Sequence, residues 1–140
     1  MGNHVAVYVH LIWTTKNRES LLHKKLRYNL FDHIRTKAVD DNIDICILNG
    51  VDDHVHCLVA LRSTQTIAGT VKVIKGESSR WINEGKLTDG LFVWQEGYGA
   101  ISVSPADVPR ITRYIFNQEQ HHADRTVEEE LQKFALYAQE

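Results

Sequence analysis

Two histidines separated by one residue, His54 and His56, stand at the front of an apolar run that reads DDHVHCLVAL over residues 52–61. In a β-strand, side chains two apart share a face, so both imidazoles point one way while Val55, Cys57 and Val59 take the other. Their Cα atoms lie ~6.6 Å apart at ~3.3 Å per residue, a span two imidazoles can bridge to one ion through bonds of ~2.1 Å. Eight histidines in 140 residues make such a pair common by chance, so the pair alone does not fix a metal site. A second group lies in ADVPRITRYIFNQEQHH, residues 106–122, where Val108, Ile111 and Ile115 form an apolar stripe. Arg110, Tyr114, Asn117, Gln118 and His121 fall at helical spacing on another face. Tyr114 and Gln118 are one turn apart, ~6 Å along the axis, so a phenol and an amide oxygen can reach a common point. A half-buried tyrosine beside a solvated amide fits the same spacing, and Tyr28 with Asp32 and His33 offers a similar arrangement.

The elements that must carry these residues follow from hydrophobic periodicity. HVAVYVHLIWTT, residues 4–15, is too continuously apolar for a helix with a wet face and reads as a central strand. From Ser20, a candidate N-cap, the residues Leu22, Leu26, Leu30, Phe31 and Ile34 recur at helical spacing and predict a helix to about residue 40. Residues 43–49 alternate as a strand, Asn49-Gly50 supplies turn chemistry, and 54–61 return as the second arm of a hairpin. Ile67, Val71, Ile74 and Trp81 predict a helix over 64–84, and residues 91–103 regain strand character around Gly97 and Gly99. Pro105 suits the first turn of a helix over about 105–122. Thr126 with Glu129 resembles a capping box for a last helix, roughly Val127 to Ala138. The order β-α-β-β-α-β followed by helices predicts an α+β fold, a ferredoxin-like antiparallel β-sheet flanked by α-helices.

Length and composition fit one domain, residues 1–140, with 43% hydrophobic and 24% charged residues. No stretch approaches the roughly 18 apolar residues of a membrane span, which predicts no membrane partner. The opening MGNHVAVYVH lacks a basic region followed by a cleavable apolar core, so it reads as the start of the fold and the protein as cytoplasmic. Cys46 and Cys57 sit in strand-like runs and read as small buried thiols. A net charge of -2 argues against a phosphate-rich partner, but the average hides an asymmetry. Of 18 acids and 16 bases, five acids and two bases lie from Asp124 onward, which leaves 13 acids and 14 bases elsewhere. Residues 16–37 carry Lys16, Arg18, Lys24, Lys25, Arg27, Arg35 and Lys37 against only Glu19 and Asp32.

Taken together, WTTKNR at 13–18, DDHVHCLVAL at 52–61, WQEGYGAISVS at 94–104, YIFNQEQHH at 114–122 and EEEL at 128–131 make the sequence similar to the single-tyrosine transposases of the IS200/IS605 group. That resemblance runs almost end to end. It implies a DNA transposase with His54, His56 and Gln118 as ligands of a divalent metal ion and Tyr114 as nucleophile. Asp53 matches the acidic residue that usually precedes the histidines, although a turn role explains it better. Mg²⁺ or Mn²⁺ would be the ion, since imidazoles make Mn²⁺ at least as comfortable as Mg²⁺. A free phenol ionises near pH ~10, so the tyrosine must shed its proton as it attacks; His121 and His122 are candidate acceptors. The implied partners are single-stranded DNA with hairpin ends and a second copy of the chain in a homodimer. Lys16, Arg18, Lys72, Lys75 and Arg80 are the expected DNA-binding cations, with Trp13, Trp94 or Tyr98 as stacking platforms. Two rival readings remain: a domesticated relative or DNA-binding remnant acting on repetitive hairpins, and a metal-dependent nucleic-acid hydrolase without a covalent intermediate.

Overall fold

The computed structural model describes Gly2–Gln120, Thr126, Glu128–Glu130 and Gln132. Four strands, β1 (Val7–Thr14), β2 (Asp44–Gly50), β3 (His54–Leu61) and β4 (Gly99–Val103), form one antiparallel sheet in the order β2-β3-β1-β4. Helices α1 (Lys24–Asp40) and α2 (Ile67–Glu84) cover one face, and α3 (Val108–Phe116) lies over the other. This is the predicted β-α-β-β-α-β order, followed by a helix as expected. The two central strands, β1 and β3, are the ones whose sequences are apolar at nearly every position, because both of their faces are buried.

Alternation along these strands sorts the core into two layers. Val9, Leu11, Trp13, Val55, Cys57 and Val59 point toward α1 and α2, where they meet Leu26, Leu30, Phe31, Val71 and Ile74. Ile12 and Leu58 point the other way and pack with Ile111, Tyr114 and Ile115 of α3. At nine residues α3 is too short to hold helical form alone. Burial of Ile111 and Ile115 against the sheet, worth ~1.5–3 kcal/mol each, fixes it there.

Several boundaries move for identifiable reasons. Helix α1 begins at Lys24, because the His23 ring, and not Ser20, accepts from the Leu26 amide. Thr66 caps α2 through the Gly69 amide. The predicted strand over 91–103 contracts to 99–103. Residues 91–98 keep one antiparallel bridge to the end of β1, Thr15 with Trp94, and are otherwise tied to α2: Asn83 brackets Phe92 through both its amide and its carbonyl, and the Lys75 ammonium donates to the carbonyls of Gln95 and Gly97. Gly97 has φ +91°, a backbone state glycine adopts without strain. Pro105 opens a short 3-10 turn, Pro105–Asp107, before α3. Of the last predicted helix, Glu128–Glu130 are helical and the Glu129 amide donates to Thr126 Oγ1 at 3.2 Å; its remainder lies outside the described residues. Cys57 is buried as expected, but Cys46 is exposed: the β2–β3 register slips between Ile45 and Ile47, and the extra residue at the bulge turns outward.

The β2–β3 hairpin places the front of β3 by backbone contact. Gly50 belongs to β2 and pairs with Val55, so the turn runs through Val51, Asp52 and Asp53 rather than through Asn49-Gly50. A Cβ at position 50 would stand 2.3 Å from the His54 carbonyl oxygen and 3.0 Å from Val55 Cα, both backbone atoms that cannot rotate away. Gly50→Ala is therefore expected to cost at least ~1–3 kcal/mol in urea unfolding. An unchanged midpoint would mean that the hairpin opens freely and does not fix His54.

Candidate metal and tyrosine site

The site lies where β3, β1 and α3 meet on the single-helix face. His54 and His56 are both fully buried there. Each ring is held at Nδ1: His54 by Asp53 Oδ1 at 2.7 Å, and His56 by His10 Nε2 at 2.8 Å. Asp53 is thus more than a turn residue, since its side chain orients an imidazole while its carbonyl accepts from the Thr15 amide. Holding Nδ1 aims both Nε2 atoms at one place, and Glu130 Oε2 is found there, 2.6 Å from His56 Nε2 and 3.7 Å from His54 Nε2.

Ligand atoms of His54, His56 and Glu130 all fall within 4.8 Å of one another, near the ~4.2 Å span across an ion with ~2.1 Å bonds. Electrostatics favour a cation at this point. Burial opposes charge on His54, yet hydrogen bonds to Asp53 and Glu130 overcome it and raise the imidazole to about 9. Burial likewise works against the Glu130 carboxylate, but hydrogen bonds from His54 and His56 hold it well below the usual carboxylate range. Two carboxylates therefore converge on a buried imidazole, a negative potential that a divalent cation would neutralise.

Tyr114 comes to the same place from α3. Its ring centroid is 6.2 Å from that of His56 and nearly perpendicular to it, with an interplanar angle of 71°. The expected polar row of α3 is therefore split: Tyr114 faces the sheet beside Ile111 and Ile115, whereas Arg110 and Asn117 are exposed. Gln118 follows one turn later and is fully buried; among the described residues neither its amide nitrogen nor its carbonyl oxygen has a hydrogen-bond partner. An amide buried without partners costs roughly 1–3 kcal/mol per unmet group, which points to a missing ligand of polar or cationic character.

The end of α3 is pinned from two sides. Asn49 of β2 donates to the carbonyls of Ile115 and Phe116 at 3.1 and 3.0 Å, meeting two of the acceptors that a helix end leaves open. Arg27 of α1, itself buried, donates to Leu22 O and to Glu119 Oε1, which also accepts from Tyr28. Tyr28 thus positions the turn that contains Gln118, while its own hydroxyl is occupied by Glu119.

The expected DNA-binding cations are differently placed. Arg80 pairs with Glu77 and Glu84, its neighbours on α2, and Lys75 braces the 95–97 loop. Arg18 is 3.8 Å from Asp53 and pairs with Glu128, next to the segment carrying Glu130. Lys16 and Lys72 are exposed. Trp13 and Trp94 are core residues in edge contact, and Trp94 Nε1 donates to Ser78, so of the three expected platforms Tyr98 is the accessible one. His121 and His122 lie outside the described residues.

Sequence reasoning missed two members of this site. His10 was hidden in an apolar strand, and Glu130 among three consecutive acids. The first could have been found by strand parity once β1 was paired with β3; no spacing rule links residue 130 to residue 54.

The family model described as "Transposase IS200 like" matches residues 3–118, which includes both histidines, Tyr114 and Gln118. The chain belongs to the IS200-like transposase family. Among curated proteins, it is 30% identical over 114 residues to the ISDra2 transposase TnpA of Deinococcus radiodurans, an alignment covering 78% of this chain and 81% of that one. Among solved structures, it is similar to a crystal structure described as a transposase from Deinococcus radiodurans R1, with TM-score 0.67 and 30% identity over 84% of this chain and 96% of the other. A REP-associated tyrosine transposase bound to a REP hairpin shares the fold at TM-score 0.65 and 17% identity, covering 87% of this chain and 74% of that one. As an IS200-like transposase the protein is a DNA transposase, and its sheet-and-helix architecture is that of its relatives. No described helix is long and apolar enough to cross a membrane.

Proposed function

We propose that this IS200-like transposase cleaves and rejoins single-stranded DNA at hairpin-flanked ends, with Tyr114 as nucleophile and a divalent cation, Mg²⁺ or Mn²⁺, held by His54, His56 and Gln118. The observation that carries the reading is the pair of Nδ1-anchored imidazoles with the Tyr114 ring 6.2 Å from that of His56, centroid to centroid; Gln118, one turn beyond Tyr114 and buried, is supported by its unpartnered amide among the described residues. Glu130 adds a carboxylate to what would otherwise be a neutral ligand set. Its hard oxygen suits Mg²⁺ or Mn²⁺.

The cation, when bound, offsets the negative charge that builds on a nonbridging phosphate oxygen during attack. Tyr114 supplies the nucleophile: its phenolic oxygen bonds to phosphorus and gives its proton to solvent, while the bond to the 3′ oxygen breaks and that oxygen takes a proton from solvent, to give a 3′-OH and a 5′-phosphotyrosine. The ester conserves the phosphodiester bond energy, so attack by another 3′-OH restores the phosphodiester and frees Tyr114 without ATP. His54 and His56, each anchored at Nδ1, would hold the cation through Nε2, and Asn49, Arg27 and Tyr28 fix the helix end beside Tyr114 and Gln118.

A flexible single strand delivers a phosphate to this recessed place more readily than a stiff duplex does. Lys16 and Lys72 are the contacts best placed for its backbone among the five expected cations. Lys72 borders a cleft of about 580 Å³ between α2 and residues 91–98, also lined by Lys75, Leu91 and Tyr98, where a base can stack on the tyrosine. Arg18, Lys75 and Arg80 support it indirectly, by fixing the terminal segment, the 95–97 loop and the surface of α2. A hairpin-bound fold relative adds weight to a foldback substrate. We propose further that the protein acts as a homodimer and in the cytoplasm. The test is incubation of the protein with end-labelled single-stranded hairpin DNA and Mn²⁺, followed by denaturation in SDS. A protein–DNA adduct supports the transposase, cleavage without an adduct supports a hydrolase, and binding alone supports an inactive remnant.

A further inference from the structure

We propose that His10 is a positioning residue for the cation ligand His56: by accepting the His56 Nδ1 proton at its own Nε2, it presents the His56 Nε2 lone pair to a divalent cation. This rests on the metal site proposed above and adds to it a residue outside the His-x-His strand. His10 lies on β1, where its register partners are Leu58 and Ile101, both apolar, and it is fully buried. An imidazole placed there without purpose would be costly, because a buried polar group needs a hydrogen-bond partner and an apolar side chain needs none. Its Nε2 is 2.8 Å from His56 Nδ1, and the two rings are 5.0 Å apart between centroids and tilted by 37°.

Two imidazole nitrogens at that distance share one proton, so the role of one determines the role of the other. A cation can bind His56 Nε2 only where that atom carries no proton; the neutral ring then has its proton on Nδ1, and His10 Nε2 must accept it. His10 in turn carries its proton on Nδ1. The arrangement parallels the one at His54, where the Asp53 carboxylate, which can only accept, imposes the same tautomer. Each ligand thus has an anchor drawn from a different element: the hairpin turn for His54, the neighbouring central strand for His56. Ile12 sits directly opposite His56, so His10 reaches it along the diagonal of the same face, a placement set by strand register alone.

The test measures Mn²⁺ affinity in the full-length protein without DNA, by the loss of the free-ion EPR signal. Removing an outer partner of a histidine ligand typically weakens metal binding by ~10–100-fold, and His10→Leu is expected to do so. His10→Gln, whose amide oxygen can reach the place of Nε2, is expected to restore affinity to within about threefold of the parent. Thermal melting in EDTA should show His10→Leu cooperatively folded at the assay temperature, with a midpoint lowered by the loss of the buried His56 Nδ1 partner; recovery of Mn²⁺ affinity in His10→Gln separates positioning of a ligand from general support of the fold. Unchanged affinity in a folded His10→Leu, with the parent binding Mn²⁺, overturns the role of His10 and leaves the metal site standing. Failure of the parent to bind Mn²⁺ at all overturns the site itself. A measurement on the unaltered protein is independent of variant folding: ¹⁵N shifts of His56 in the Mg²⁺-loaded state should place its proton on Nδ1. A proton on Nε2 overturns the proposal.

Discussion

Replacing Tyr114 with phenylalanine is expected to remove the protein–DNA adduct completely and to lower strand cleavage by at least about a thousandfold, roughly 4 kcal/mol of transition-state stabilisation. The substitution deletes one oxygen. The ring remains packed with Ile111, Ile115, Ile12 and Leu58, so the folded state should change in stability by no more than ~1 kcal/mol. A loss of activity therefore cannot be charged to unfolding, provided that the thermal midpoint of the variant is measured beside its cleavage rate. Mn²⁺ affinity should also persist, because the proposed ligands are left in place. The result that defeats the nucleophile assignment is cleavage at the parental rate. If that cleavage proceeds without any SDS-resistant adduct in either protein, the phenol is a core residue and a water-activating hydrolase becomes the better reading. Tyr28 is the natural control, since its hydroxyl is already given to Glu119 and its loss should reduce rate only through the looser helix end.

The positions of these residues were unequally legible in the sequence. Strand identity and the shared face of His54 and His56 follow from period-two alternation, and the two-layer core confirms both, because every second residue of β3 meets α1 and α2. The place of α3 on the opposite face was not legible, since its apolar stripe is equally compatible with either side of a sheet. The start of α1 drifted from a cap at Ser20 to one at His23 because the His23 ring was not read as an acceptor. Glu130 is an acid among acids until the chain folds back, and only the tertiary fold brings it 2.6 Å from His56. The Glu77–Arg80–Glu84 ladder was readable, however: spacings of three and four residues on one helix predict those ion pairs. Arg80 was expected as a DNA contact from its place on the polar face of the helix it shares with Lys72 and Lys75; those ion pairs engage it, whereas Lys72 has no such acid paired to it among the described residues.

The second large effect is expected at His56. His56→Ala should weaken Mn²⁺ binding by more than ~100-fold, beyond the loss typical of an outer partner, and should reduce cleavage to background under the same assay. The imidazole is fully buried, so its removal also leaves a cavity and deprives Glu130 of its closest partner; a stability loss of ~2–4 kcal/mol is expected. That loss has to be separated from the loss of function. Glu130→Ala provides the comparison, because it removes the same buried ion pair while sparing both imidazoles and Gln118. If His54, His56 and Gln118 suffice to hold the cation, Glu130→Ala keeps measurable Mn²⁺ affinity and adduct formation, whereas His56→Ala keeps neither. Should the two variants lose metal and activity equally, Glu130 is as necessary a ligand as His56 and the terminal segment is part of the catalytic site. Cleavage by a folded His56→Ala protein at the parental rate would remove His56 from the chemistry, and with it the argument that links the histidine strand to Tyr114.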